Sequence, residues 1–559
     1  MTESEILKLQ KELEKLKKEN ADLKKKKKFG LVWEEREREA NIDDGEYYPY
    51  FVQKGKDFGF DNGDNNKNIL IEGDNYHALE ILQYTHKGKI DVICIDPPYN
   101  TGKKKEFKYG DRWIDKNDGY KHSYWLSFMT KRLELSKTLL SKEGIILINI
   151  DENEYARLKL LCDDIFNPTN FIGSFVKKIS GGKNDSKTIK INHEYLLCYK
   201  RTEKGLIHLN IQYTKKDEIR SLQKDGDNEE RFNRENLWYS FFINIMTKEI
   251  SLEKKEAMVE VLPIKNDGLE RYWRWEKETA IKRIDELRVI KTKFDDGKVK
   301  YDIGVFTPKG TKKELPWNSF ISDYAAGGGT QLKEVLGKKI PGMYPKNINY
   351  IKWICGLSKK TNPLILDFFA GSGTTGHAIE ELKIDSYSHI NNAKYILVTN
   401  NENNICEEVC YQRLKKANEK YDYNSNLEYL KTELLKYDPE KHCDLDIKEF
   451  MVDKLTEIIK VREACFELNI VSPFLSKFAH KEKSVYILHN IYNMKKSDYD
   501  ETINALNNDN SNNINIYILS ISNHSHYMNK ISKANKNITF EPLPENFLKM
   551  LRKLERKQK

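Results

Sequence analysis

Leu364-Ile365-Leu366-Asp367-Phe368-Phe369-Ala370-Gly371-Ser372-Gly373-Thr374-Thr375-Gly376 reads as a buried strand, a glycine turn and the opening of a helix. The aliphatic residues make a short apolar run, Asp367 marks its end, and a helix is expected from His377 onward. Gly371 and Gly373 lack a Cβ, so the backbone can reverse sharply there and approach a bound group closely. In an open α/β sheet such a turn lies at the carboxyl edge of the strands, beside a helix N-terminus, where ligands bind. The spacing is not Gly-x-Gly-x-x-Gly, and no Gly-Lys-Ser/Thr follows. Neither a dinucleotide fingerprint nor a triphosphate loop is therefore present. Taken alone, the stretch also fits a tight strand-to-helix turn without a ligand.

The same rhythm runs through residues 40–169. Ile69-Leu70-Ile71 reads as a strand, Asn75 to Tyr84 as a helix, Asp91 to Ile95 as a strand, Tyr124 to Leu140 as an amphipathic helix and Gly144 to Ile150 as a third strand. Tyr395 to Val398 supplies another strand after the glycine turn. Strands alternating with helices build a parallel sheet covered on both faces. Residues 170–340 break the rhythm with mixed polarity, turn-rich segments such as Ser180-Gly181-Gly182-Lys183 and the pair Trp273 and Trp275, and read as an inserted domain. The sheet pattern resumes over 341–435. Residues 440–559 read as a separate small α/β segment, with a basic amphipathic helix, strands at Val485 to Leu488 and Ile514 to Leu519, and a Lys/Arg-rich end.

Residues 1–30 carry Ile6, Leu9, Leu13, Leu16, Asn20 and Leu23 at alternating steps of three and four, the spacing of a coiled-coil seam. A polar Asn on that seam fixes register in a two-stranded pair, although a solvated charged helix fits so short a repeat too. The lysine run from Lys24 to Lys28 suits a solvated linker or a nearby phosphate backbone. Across 559 residues, 95 Lys and Arg stand against 86 acidic residues, a net charge of +9 compatible with an anionic partner. Eight cysteines are scattered without a Cys-x-x-Cys pair, which argues against a zinc site or a disulfide framework; Cys406 and Cys410 read as buried thiols. No signal-like apolar core and no run of 18 apolar residues is present, so a cytoplasmic, reducing setting without a membrane partner is expected.

Asp96-Pro97-Pro98-Tyr99 follows directly on the strand that ends at Ile95. Two prolines fix φ and remove two backbone donors, leaving a rigid loop rich in carbonyl acceptors. An exocyclic amine on a nucleobase is a poor nucleophile because its lone pair is delocalised into the ring. Acceptors at Asp96 and the Pro97 carbonyl localise that pair on nitrogen, so that a methyl group held next door can be attacked in line. Tyr99 offers an aromatic face to a base taken out of its stack. A proline pair alone would read as a structural stop; beside the tyrosine and the glycine turn it reads as a site. Glu402, just past the strand at 395–398, could accept from ribose hydroxyls or be an ordinary solvated side chain.

The segments Ile69 to Asn75, Asp96 to Gly102 and Asp367 to Thr375 together resemble the beta-group amino-methyltransferases of DNA, and most closely the modification subunits of type III restriction-modification systems. The resemblance spans roughly residues 45–415. It implies a circularly permuted, Rossmann-like α/β methyltransferase domain that uses S-adenosyl-L-methionine, split around a target-recognition domain at 170–340. The N-terminal helix and the C-terminal α/β segment lie outside it. By this resemblance Asp96, Pro97 and Tyr99 bind and activate the target amine while Pro98 shapes the loop. Phe369, Gly371 and Gly373 line the cofactor, and Asp367 lies near its methionine end. Asp74 is assigned to the cofactor as well, with a helix N-cap as the competing reading. Lys346 falls where the family has a Lys-Pro pair, but Asn347 follows it, so its role stays open.

The acidic first position, Asp96, resembles adenine N6 rather than cytosine N4 enzymes. Double-stranded DNA is the expected partner, with a homodimer and, in a type III setting, a helicase-nuclease restriction subunit. A stand-alone or cytosine N4 enzyme, a non-catalytic DNA-recognition subunit and an RNA methyltransferase remain rival readings. Binding of the cofactor separates enzyme from recognition module; competition between duplex DNA and structured RNA separates the substrates. If the N-terminal seam dimerises the chain, Leu9→Lys with Leu16→Lys gives a monomer by light scattering; an unchanged mass refutes the zipper.

Overall fold

Runs such as Ile90–Ile95 and Asn68–Glu72 are buried at every position, as strands covered on both faces must be. The computed structural model describes residues 47–541 except 56, 63–66, 103–107, 110–111, 115–116, 180–188, 225–233, 265–268, 294–296, 325, 387, 437–443, 465–467, 479–483, 489–493, 512, 519–524 and 535–536. The seam at 1–30, the lysine run and the turn at 180–183 lie outside the described residues.

One unit comprises residues 1–208 and 318–559. Its main sheet contains β1 (Tyr47–Gln53), β2 (Asn68–Glu72), β3 (Ile90–Ile95), β4 (Leu140–Ile150), β5 (Phe171–Lys178), β6 (His193–Lys200), β7 (Phe320–Ile321), β8 (Leu364–Asp367), β9 (Lys394–Thr399) and β10 (Leu427–Lys436). They lie side by side in the order β1-β10-β2-β9-β8-β3-β4-β6-β5-β7. The neighbours from β10 to β4 pair in parallel, so their carboxyl ends share one edge. The glycine-turn strand β8 inserts between β9 and β3, with Leu366 opposite Ile396 on one side and Ile93 on the other. This brings Asp367 and Asp96 to the same edge although they are far apart in sequence.

On the far side β6 runs antiparallel to β4, pairing Tyr195 with Ile150, and β5 pairs Lys177 with Glu194. The starting end of β6 therefore lies at the carboxyl edge of the parallel strands. These two strands correct the expected insertion: it does not begin at 170, because 171–178 and 193–200 complete the main sheet. The second unit spans Leu209–Trp317. It has two three-stranded sheets, one of Glu218–Ser221, Leu287–Lys293 and Val299–Thr307 and one of Phe241–Ile243, Ile250–Ser251 and Val259–Val261. Trp273 is buried in their core against Phe241, and its Nε1 donates to the Tyr239 carbonyl at 2.7 Å, so packing accounts for it. Trp275 stacks beneath the Arg283 guanidinium.

The separate status expected for 440–559 is corrected in part. Its five strands form their own sheet. Leu455, Ile458 and Ile459 of the helix Asp444–Glu463, with Val485, Ile487 and Tyr517, nevertheless belong to the same buried cluster as Leu79, Leu133 and Ile148. The apolar face of that helix thus extends the main core. Among the described residues no helix is long and apolar enough to cross a membrane.

Ile459 is fully buried in that cluster. Ile459→Ala is expected to lower the stability of the whole unit by about 2–5 kcal/mol, read from urea unfolding of the full chain. A separate low-stability transition with the main one unchanged would mean that the C-terminal segment folds by itself.

Candidate functional site

The chain leaves β8 through a turn closed by two backbone bonds, Ala370 N–H to the Val398 carbonyl at 3.1 Å and Gly373 N–H to the Ala370 carbonyl at 2.8 Å. Gly371 and Gly373 both take positive φ, 49° and 72°. A Cβ on Gly373 would lie 2.9 Å from Cys410 Sγ, so this glycine answers both to backbone strain and to a close approach. Helix Thr374–Ile384 begins at once, slightly before the expected His377. Arg413, fully buried below the turn, donates to Thr374 Oγ1 at 2.6 Å and to Ser372 Oγ at 3.2 Å, tying the turn to the helix Gln412–Tyr421. Cys406 and Cys410 are buried thiols, as expected.

Asp367 is buried at the end of β8. Its carboxylate accepts from the Phe369 N–H at 2.9 Å and from the Thr375 hydroxyl at 2.5 Å. Among the described residues no ammonium or guanidinium pairs with it, and burial raises its pKa to about 7 despite those two bonds. A buried carboxyl with hydrogen bonds but no counter-charge is a natural receiver for a cationic group of a ligand.

Asp96 stands one strand away. Asp96, Asp367, Phe369 and Gly371 line one cleft, together with Asn149, Ile405 and the segment Met343 to Lys346. The Asp96-Pro97-Pro98-Tyr99 loop is held from several sides. Trp125 Nε1 donates to the Pro98 carbonyl at 2.7 Å, and Asn149 Nδ2 donates to the Ile95 carbonyl at 3.2 Å while its own Oδ1 accepts from the Tyr350 hydroxyl. Asn100 takes a positive φ of 58° and donates to the buried Glu154 at 2.6 Å, which ends the loop. The Tyr99 hydroxyl donates to Asp96 Oδ1 at 2.7 Å.

Lys346, whose role the sequence left open, sits at the centre. Its Nζ lies 2.6 Å from Tyr99 Oη, 2.8 Å from Glu194 Oε2 and 3.3 Å from Asp96 Oδ1. Burial disfavours the Lys346 ammonium, but Asp96 and Glu194 outweigh it and raise its pKa. Burial pushes Asp96 above the ordinary carboxylate range, and Lys346 only partly opposes this. Glu194 goes the other way: burial would raise it, yet Lys346 and Lys177 together hold it down. Lys177 Nζ stands 3.8 Å from Glu194 and 4.4 Å from the centre of the Tyr350 ring.

The structure thus gathers Asp96, Asp367, Phe369 and Gly371 around one cleft, with Pro97, Pro98, Tyr99 and Gly373 forming its adjoining loops. It does not bring Asp74 or Glu402 to the cleft lining. Asp74 caps the helix Asn75–Thr85 by accepting from the Tyr76 N–H at 2.7 Å, and it pairs with Arg132 at 3.2 Å. Its neighbour Asn75 makes the link to the glycine turn, donating to the Phe368 carbonyl at 2.8 Å. Glu402 opens an exposed turn, Glu402–Asn404, because Asn403 and Asn404 both adopt left-handed conformations there. Glu194, Lys177, Trp125 and Arg413 were not anticipated. Only Glu194 left a trace in the sequence, as an acidic residue heading the apolar run Tyr195 to Tyr199.

A family model described as DNA methylase matches residues 90–409. The Type II methyltransferase M.KpnI of Klebsiella pneumoniae is 36% identical over 328 residues, which is 56% of this chain and 77% of that protein. The Type III restriction-modification enzyme EcoPI Mod subunit of Escherichia phage P1 is 29% identical over 367 residues, covering 57% of this chain and 55% of the subunit. The chain thus spans about half the length of that Mod subunit. A solved complex of M1.HpyAVI with SAM aligns over 62% of this chain and 98% of its own, at 13% identity and a TM-score of 0.29.

The titration of Asp367 is open to test. Its folded pKa of about 7 exceeds the ordinary 3.8, so the folded state holds the proton more tightly and stability falls as pH rises between those values. Asp367→Asn does not titrate. The variant is expected to gain stability relative to the parent as the pH of urea unfolding is raised from about 5 to about 8. A pH-independent difference would show that Asp367 ionises normally.

Proposed function

Because the chain belongs to the DNA methylase family, we propose that it transfers a methyl group from S-adenosyl-L-methionine to the N6 amino group of adenine in a specific duplex sequence. The observation that carries this reading is that Asp96 and the Gly371 turn line one cleft, so amine acceptor and cofactor turn face each other. The residues fit the cofactor. Asp367 lacks a counter-charge among the described residues and suits the α-ammonium of its methionine part, while Phe369 and Ile405 offer apolar surface. When bound, S-adenosyl-L-methionine supplies an activated sulfonium methyl. The late position of β8 in the chain, between β9 and β3, fits a permuted methyltransferase sheet.

The chain's own residues do the rest. An adenine rotated out of the duplex stacks on Tyr99. Asp96 accepts one N6–H, and the Pro97 carbonyl, which accepts no bond among the described residues, takes the other. The lone pair is then directed at the methyl carbon. As the N–C bond forms, the C–S bond breaks and its electron pair stays on sulfur; the nitrogen then sheds a proton toward Asp96, whose raised pKa suits it as acceptor. The unit Leu209–Trp317 is the candidate for reading the DNA sequence. The match to a Mod subunit of a type III restriction-modification enzyme supports work alongside a restriction subunit.

Asp96→Ala is expected to lower methyl transfer by at least about 100-fold while leaving cofactor affinity within a few-fold. Gly371→Val, which puts a branched side chain at a positive φ, is expected to abolish cofactor binding. Mass spectrometry of nucleosides from treated DNA is expected to find N6-methyladenine. N4-methylcytosine would reassign the base, and preferential methylation of structured RNA would reassign the substrate.

A further inference from the structure

Two carboxylates, Asp96 and Glu194, compete for one ammonium. Lys346 Nζ is 2.8 Å from Glu194 but 3.3 Å from Asp96, and the gap to Asp96 is spanned by the Tyr99 hydroxyl, which Lys346 and Asp96 share. The arrangement is built into the sheet: Glu194 and Lys177 are direct cross-strand partners on β6 and β5, and both side chains are largely buried. A carboxylate oxygen accepts an amine N–H less readily once an ammonium occupies it at full hydrogen-bond distance. If nothing restrained Lys346, the nearest anion in a low-dielectric cleft would capture it, and that anion would be Asp96.

We propose that Glu194 is a positioning residue for methyl transfer: it holds Lys346 at 3.3 Å from Asp96 Oδ1, the oxygen that Tyr99 also uses, so that the ammonium does not close on the carboxylate and weaken it as acceptor for the target amine. This rests on the reading of Asp96 as the amine acceptor. Glu194 does not touch the reacting atoms; it acts through Lys346. Lys177 completes the set by keeping Glu194 ionised, because with one lysine for two acids in a buried cleft one acid would take up a proton. The negative charge of Glu194 also raises the proton affinity of Asp96, whereas Lys177 lies close enough to exert the opposite influence.

The test compares the full-length protein with Glu194→Gln and Lys177→Met, by crystallography and by single-turnover methylation across pH. In Glu194→Gln, Lys346 is expected to close on Asp96 to roughly 2.8 Å, the length of a charge-assisted bond. Methyl transfer is expected to slow by about tenfold or more with cofactor and DNA affinities unchanged. The acid limb of its pH–rate profile is expected to move to lower pH, since Asp96 loses an anionic neighbour. Lys177→Met, which lets Glu194 take up a proton, is expected to move the limb the same way as Glu194→Gln. A merely structural role would lower binding and rate together and leave the limb in place. A Lys346–Asp96 distance that stays at its parent value in Glu194→Gln, or a parent-like rate and limb, overturns the proposal. A parent protein that binds cofactor but methylates no DNA overturns the functional reading instead, and the crystallographic distance still decides the role of Glu194.

Discussion

The parallel pairing of β8 with β3 is the constraint on which the remaining features depend. Only two residue pairs define that register, Ile365 with Val92 and Leu366 with Ile93, yet they align the ends of two strands contributed by distant parts of the chain. With the parallel strands ending on one edge, the loops that follow β3 and β8 open toward the same cleft. The loop after β3 carries Asp96 and the turn after β8 carries Gly371. A one-residue slip would exchange the two buried faces of β8, so the core that packs Leu366 and Phe368 also fixes the placement of Asp96 against the glycine turn.

The second determinant is electrostatic. Beside the cleft Asp96 and Glu194 stand against Lys346 and Lys177, balanced in sign at separations of 2.8 to 3.8 Å, with both lysines largely withdrawn from water. Such groups are costly to bury unless each finds a partner, and the pairing here is complete on one side only. Asp367 on the other side has hydrogen bonds but, among the described residues, no cation, and burial raises its pKa to about 7. A buried carboxyl without a counter-charge among the described residues suits a cationic ligand, which is the part the proposed reading gives Asp367.

Elements with a strong local signal were legible in the sequence. The strands at 90–95 and 364–367 and the helix at 75–85 follow from apolar runs and periodicity, and the glycine turn and proline loop announce themselves by backbone chemistry. The insertion boundary was not legible. Strands β5 and β6 belong to the main sheet by antiparallel pairing, and a half-buried strand such as Phe171–Lys178 has the mixed polarity that reads as a break in pattern. The helix at 444–463 gave the same difficulty. Its amphipathic face is plain in the sequence, but nothing local says that the face packs on the main core.

What the sequence determined by itself is the character of the two loops at the cleft: an acid followed by two prolines and an aromatic, and a glycine turn after a buried strand. Both work through backbone restrictions and residue types that hold wherever they occur. What only the tertiary structure decided is which distant charges complete the site. Lys346, Glu194 and Lys177 come from separate segments, and nothing in the sequence pairs them with one another, because an ion pair depends on spatial distance and local burial, and neither is written in the spacing of residues along the chain. The same limit explains Asp74 and Glu402. Each occupies a suggestive position at a strand end, and in each case the local turn keeps the residue off the cleft lining, at a helix cap in one and in an exposed turn in the other.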